Sequence, residues 1–176
     1  MWWARKSPSL LLSKMTPYSV AVGLVRSGGR LGIAYSDPYL SCATPLASLP
    51  ARAKPWDVAA ALQGIPVGVL VLGLPIRGGQ NGPRDDVAAL KSMATHLHHQ
   101  AGSSLGAVQQ CVWRRRMSAS EVRSQCTDNA LWQEIASAVG DDCRRGGAGV
   151  APAAMAAISL QDLLDEEMGG WPNTFG

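Results

Sequence analysis

The sequence predicts an α/β fold with a mixed central β-sheet flanked by helices, and three stretches predict it. Residues 18–38, YSVAVGLVRSGGRLGIAYSDP, read as two strands joined by a tight turn. Residues 67–72, VGVLVL, form an apolar run without alternation, as in a strand covered on both faces. Residues 84–101 place Val87, Leu90, Ala94, Leu97 and Ala101 three or four apart, the pattern of a helix lying against a sheet.

At 176 residues the chain has the length of one domain plus a short extension, and 47% hydrophobic against 16% charged residues supplies an apolar core. That balance, with 19 Gly and 11 Pro, excludes a disordered low-complexity chain. The organisation read from it is an N-terminal extension over 1–17, a domain over 18–168 and a tail over 169–176. The extension, MWWARKSPSLLLSKMTP, carries Arg5, Lys6, Lys14, several hydroxyl residues and no acid; the first acid of the chain is Asp37. This is transit-peptide composition, which predicts import into an organelle, the mitochondrial matrix rather than the plastid.

In the hairpin, Val20, Val22, Leu24 and Val25 give the first strand, Gly28-Gly29 the turn, and Leu31, Ile33 and Tyr35 the alternation of the second, which Ser36-Asp37-Pro38 ends. Gly23 and Gly32 mark points where another backbone or a ligand approaches closely. Residues 42–46 predict a short edge strand interrupted by Pro45. A helix is expected over 51–64, with Trp56, Ala59, Ala60 and Gln63 at helical spacing and Gly64 as its stop. Residues 67–72, following a helix, predict a parallel central strand.

From Gly73 to Arg84, GLPIRGGQNGPR reads as a Gly-rich loop at the strand's C-terminal end. Backbone N–H groups at Gly78 and Gly79 and the charges of Arg77 and Arg84 suit a phosphate there. His96, His98 and His99 fall on the solvated side of the next helix with no acid or Cys at ligand spacing, so no metal site is predicted. Residues 107–113 predict another strand, ending in Arg114-Arg115-Arg116. Ser118 or Ser120 would cap a following helix, 129–139 a short helix, 141–149 a polar loop, and Pro152 to Met168 the final helix, with Pro at the first position and Gly169-Gly170 at the exit. Cys42, Cys111, Cys126 and Cys143 show no Cys-x-x-Cys spacing and read as free thiols. All 16 Lys and Arg precede residue 146, whereas the remainder holds only Asp162, Asp165, Glu166 and Glu167. A basic body of this kind suits a polyanion. No apolar run reaches the length of a membrane span.

Several stretches in this order resemble one family. They are Gly23-Leu24 with Arg30 to Asp37, Gly73-Leu74-Pro75 with the Gly-rich loop and Gly82-Pro83-Arg84, Trp113 with Arg116 and Ser118, and Ile158 to Asp165. Over roughly 18–166 the chain resembles the YqgF/RuvX group, Holliday junction resolvase-like proteins that are also linked to ribosomal RNA maturation. The resemblance implies an RNase H-like fold and, in the family, Mg²⁺-dependent nuclease activity through Asp and Glu ligands, since hard cations need oxygen donors. Here the family's acid positions hold Val25, Arg115 and Pro152. No catalytic residue and no cofactor are therefore expected. An Arg triplet in place of an acidic pair repels a metal and attracts phosphate, so Arg77, Gly78, Gly79, Arg84, Arg114, Arg115 and Arg116 form the expected phosphate-binding set.

The first functional expectation is an inactive binding or scaffold component of an organellar ribonucleoprotein, with RNA or a protein complex as partner and no small-molecule substrate. A second is an active nuclease, in rRNA processing or junction resolution, that binds Mg²⁺ through relocated acids drawn from Asp37, Asp141 and Asp142. A third is a structural subunit of another organellar assembly that touches no nucleic acid.

Overall fold

The structure is a computed structural model and describes residues 8–27, 30–50, 52–77, 80–81, 84–99, 105, 108–116 and 152–168. Strand β1 (Val20–Ser27) and strand β2 (Arg30–Ser36) form the expected antiparallel hairpin, with Val22 opposite Tyr35 and Ser27 opposite Arg30. Strand β3 (Ala43–Leu49) pairs antiparallel with β2 at the sheet edge. Its register shifts where Pro45 meets Ala34, and edge strands with such an irregularity are where a residue without a backbone N–H is tolerated. Strand β4 (Val67–Arg77) runs parallel to β1, and strand β6 (Gln109–Arg116) runs parallel to β4; the two-residue β5 (Gln80–Asn81) folds back on the end of β4. The order β3-β2-β1-β4-β6, in which β2 alone of these five runs against the rest, is that of an RNase H-like mixed sheet.

Helices cover both faces. Helix α2 (Pro55–Ala61) and helix α3 (Arg84–His99) lie on one, where Val58, Leu62, Leu90, Ala94 and Leu97 pack with Val22, Leu24, Ile33, Leu70 and Leu72. On the other lie α4 (Pro152–Met168) and the five-residue α1 (Pro8–Leu12), packed with Ala21, Val25, Ala34, Val69, Val71 and Cys111. Each fully buried Leu or Ile contributes roughly 1.5–3 kcal/mol, so both layers are needed. The side chains of Leu11 and Leu12, within the stretch read as a targeting extension, are buried in this second layer.

The structure corrects four boundaries. The helix expected over 51–64 begins at Pro55, where the Lys54 N–H donates to the Asp57 carboxylate (2.7 Å). Its inward face is Val58 and Leu62, while Trp56, Ala60 and Gln63 are exposed. Gly64 has φ +81°, the left-handed stop that was expected. Strand β3 runs on to Leu49 rather than ending at residue 46. Strand β4 continues past Gly73 to Arg77, and β6 continues past Trp113 to Arg116, because each completes the other's backbone hydrogen bonds up to the Ile76–Arg116 pair. The segments 117–151 and 169–176, with the expected caps, short helix, polar loop and tail, lie outside the described residues.

Helix α4 sits unusually low on the sheet, and the sequence permits it. Ala153, Ala154, Ala156 and Ala157 are buried against a sheet face built of Ala21, Gly23, Gly32 and Ala34. A Cβ at Gly23 would stand 3.1 Å from the Leu160 Cβ and 3.2 Å from the Ala156 carbonyl oxygen; a Cβ at Gly32 would overlap the Pro152 carbonyl. The close approach that both glycines predicted is therefore that of α4. Side chains lock its placement: the Ala153 N–H donates to Ser48 Oγ (3.0 Å), and Gln161 accepts the Ala43 N–H (2.8 Å) while donating to the Ser41 carbonyl (3.1 Å).

Because the Pro152 carbonyl is backbone and cannot swing aside, Gly32→Ala forces the N-terminal turn of α4 off the sheet. The expected cost is about 3 kcal/mol, a fall of roughly 6–12 °C in Tm. Thermal melting checks it, and a melt within 2 °C of the parent would show that α4 does not lie as described.

Candidate nucleic-acid interface

At the C-terminal ends of β1, β4 and β6 the register aligns four residues in one row: Gly32, Val25, Gly73 and Trp113. Val25 is fully buried. A Cβ at Gly73 would stand 2.5 Å from Val25 Cγ2 and 2.6 Å from Ser159 Oγ, so α4 reaches down to this row as well. Pro152, at the start of α4, lies over Gly32, the cross-strand neighbour of Val25. The structure thus brings Val25 and Pro152 to neighbouring places under α4, where the helix backbone covers Gly32 and Ser159 reaches Gly73. A position of this kind gives a carboxylate neither solvent nor a cation to offset burial.

Arg115 stands apart from that pair. It lies opposite Pro75, two residues beyond the row and two strands from β1, which is about 10 Å across the sheet and about 7 Å along it. Strand β4 runs between β6 and β1.

The phosphate-binding set is partly gathered. Arg114, Arg115 and Arg116 occupy the last three positions of β6, opposite Leu74, Pro75 and Ile76, and Arg77 is the next residue of β4. Arg77 pairs with Gln80 of β5, so the stretch expected to be a loop leading into a helix is a hairpin that projects past the end of β1. Gly78 and Gly79, at its tip, lie outside the described residues. Arg84 opens α3 at the same end of the sheet, followed by Asp85 and Asp86.

Sequence reading missed the cations that the hairpin and β3 deliver to this end. Arg26 and Arg30 flank the β1–β2 turn, opposite Leu31 and Ser27, and Arg52 and Lys54 are exposed just past Leu49, which pairs with Leu31. The signal was present in their spacing from the turn, but only the antiparallel pairing of three strands collects them. The other end is acidic: Asp37 follows β2, and Asp162, Asp165, Glu166 and Glu167 lie on the C-terminal half of α4.

That geometry removes Asp37 from any substitute metal site, because β2 carries it away from the Val25 row. Its role is local. Burial would raise the Asp37 carboxyl, but the N–H groups of Cys42 and Ser41 and the Ser41 hydroxyl outweigh it and hold the carboxyl below its ordinary range. Asp141 and Asp142 lie outside the described residues. Burial, reinforced by Glu167, pushes the Cys111 thiol up to about 12, which leaves it without nucleophilic character. His96 donates to the Ser92 carbonyl within its own helix (2.7 Å), and His98 stacks edge-on with His99. Among the described residues no group of three or more His, Cys, Asp or Glu is placed to hold a metal ion.

No family model matches the chain, and no curated protein matches its sequence. Solved structures do match. One is RuvC of T. thermophilus in complex with Holliday junction substrate, with TM-score 0.47 and 14% identity over 85% of this chain and 96% of that one. Another is the yeast mitochondrial Holliday junction resolvase Ydc2, with TM-score 0.46 and 10% identity over 93% of this chain and 86% of that one.

Placing an acid at the buried position tests whether the row is closed. Val25→Asp is expected to lose about 3 kcal/mol or more, as an uncompensated buried charge does. Millimolar Mg²⁺ should recover none of it in a chemical denaturation midpoint. Recovery with Mg²⁺ would show a latent metal site.

Proposed function

We propose that this chain is a non-hydrolytic nucleic-acid-binding protein with the YqgF/RuvX type of RNase H-like architecture, serving as a binding or scaffold component of an organellar ribonucleoprotein. The observation that carries the reading is the pairing of a shut acid position with strand ends rich in arginine. Val25 is fully buried beneath α4, while the backbone brings Arg26, Arg30, Arg77, Arg84 and the β6 arginines to the end where β1, β4 and β6 finish. Metal-assisted hydrolysis needs carboxylates that reach both cation and phosphate, and the residues at this end are arginines instead. Arginine forks suit the backbone phosphates of a nucleic acid, which position a ligand without cleaving it. The runner-up, a nuclease with relocated acids, loses Asp37 to the far end of the sheet and rests on Asp141 and Asp142 alone.

The organellar part of the proposal rests on the acid-free, basic residues 1–17. Because Leu11 and Leu12 are built into the core, a processing step compatible with this fold would spare them. A reporter carrying residues 1–30 should enter mitochondria; a cytosolic reporter would remove the organellar part and leave the binding proposal standing.

For the site itself, purified protein is expected to leave structured RNA and four-way junction DNA uncut in Mg²⁺ or Mn²⁺ while binding the RNA in a salt-dependent way. Replacing Arg114 and Arg115 by Glu should weaken that binding and flatten the log–log salt dependence by roughly one unit per lost phosphate contact. Metal-dependent cleavage, abolished by Asp142→Asn, would favour the nuclease reading. Unchanged affinity and slope in the double variant would argue that protein contacts hold the chain in its assembly.

A further inference from the structure

The large apolar side chains exposed among the described residues are Leu10, Tyr18, Tyr39 and Trp56, and Trp56, 60% exposed, stands at the basic end. Tyr18 precedes β1 and Tyr39 follows β2, which puts both at the opposite, acidic end. Trp56 belongs to α2, yet α2 buries Val58 and Leu62 instead, and a residue two positions before Val58 lies about 200° around the helix from it. The core therefore has no use for the ring. Its backbone is held: Pro55 takes the first helical position, the Lys54 N–H donates to the Asp57 carboxylate, and the Asp57 N–H donates to the Lys54 carbonyl. Exposed Arg52 and Lys54 precede it, and Leu49, a few residues earlier, pairs with Leu31 beside Arg30. A rigid, outward aromatic among cations on a surface that gathers phosphates is the arrangement by which unpaired bases are held, the ring taking a base face while the cations take the backbone on either side.

We infer that Trp56 is a stacking platform for an unpaired base, so that the ligand of the basic end is single-stranded nucleic acid, or a single-stranded segment of a structured one, rather than an uninterrupted duplex. This rests on the nucleic-acid reading above and adds the class of ligand. A duplex offers phosphates to the arginines, but its bases are stacked on one another and present no free face to Trp56.

The test uses the full chain with three fluorescein-labelled probes, a 12-nucleotide oligo(U), a 12-nucleotide oligo(dT) and a 12-base-pair blunt duplex, titrated at two salt concentrations. The parent should prefer the single strands. Trp56→Ala should weaken them about tenfold, equivalent to ~1.4 kcal/mol, with the salt slope and duplex affinity unchanged, and Trp56→Phe should retain most of the affinity. Loss with oligo(U) alone would identify RNA as the ligand, and equal loss with oligo(dT) would identify the base face as what is recognised. Single-strand affinity that is the same in Trp56→Ala and the parent, with all proteins melting alike, overturns the stacking role while leaving the nucleic-acid reading intact. A parent that binds none of the three probes overturns both.

Discussion

The structure depends on how closely one alanine-rich helix can approach a sheet. Helix α4 approaches Ala21, Gly23, Gly32, Ala34 and Gly73, positions with one side-chain carbon or none, and its own N-terminal half contributes four buried alanines. Such a contact gains dispersion and apolar burial only at very short range, so its tolerance for added atoms is small. Because the helix sits that low, the first carboxylate position implied by family resemblance is core, and Val25 is the residue that fits there. An apolar residue at position 25 and the depth of the helix are two descriptions of one packing solution.

The same packing leaves the strand ends free to serve another purpose. Past Gly73, β4 has no β1 beside it, and the ribbon of β5, β4 and β6 extends beyond the sheet on pairings of its own. Among the described residues, the backbone places Arg77 and Arg114 to Arg116 on this overhang and Arg26 and Arg30 around the adjacent turn, while Asp162, Asp165, Glu166 and Glu167 lie on the C-terminal half of α4. The clamp at the acidic end is purely structural: Asp37 gathers the Ser41 and Cys42 N–H groups, and Gln161 ties that loop to α4.

What was legible in the sequence was whatever local rules decide. The hairpin, the fully apolar β4, the Leu90-Ala94-Leu97 face of α3 and the bounds of α4 all follow from periodicity, Gly and Pro. What was not legible depended on partners far along the chain. Leu74-Pro75-Ile76 and Arg114 to Arg116 look like loop ends taken alone, and they are strand because each supplies the other's hydrogen bonds. Trp56 was set at helical spacing with Ala59, Ala60 and Gln63, although Val58 and Leu62 are the residues that fill the buried face. Leu11 and Leu12 were hidden by a composition that signals export from the cytosol, since nothing local reveals that α4 receives them. Of the candidate site, Val25, Pro152 and the arginine triplet could be singled out in the sequence, whereas the placement of Arg26, Arg30, Arg52 and Lys54 at the same end depends on the pairing of β1, β2 and β3.

The seat of α1 also sets an order of events. Leu11 and Leu12 pack in a cluster with Cys111 of β6 and with Ile158, Leu160 and Leu163 of α4, so α1 completes its contacts only with elements far along the chain. On the ribosome, residues 8–12 leave the exit tunnel long before α4 exists, and the β1–β2 hairpin can form without either. Until β6 is made the leading segment lacks a strand it packs on, and until α4 is made it lacks its cover. Its enclosure is a long-range closure, a delay that comes from chain topology and needs no regulator.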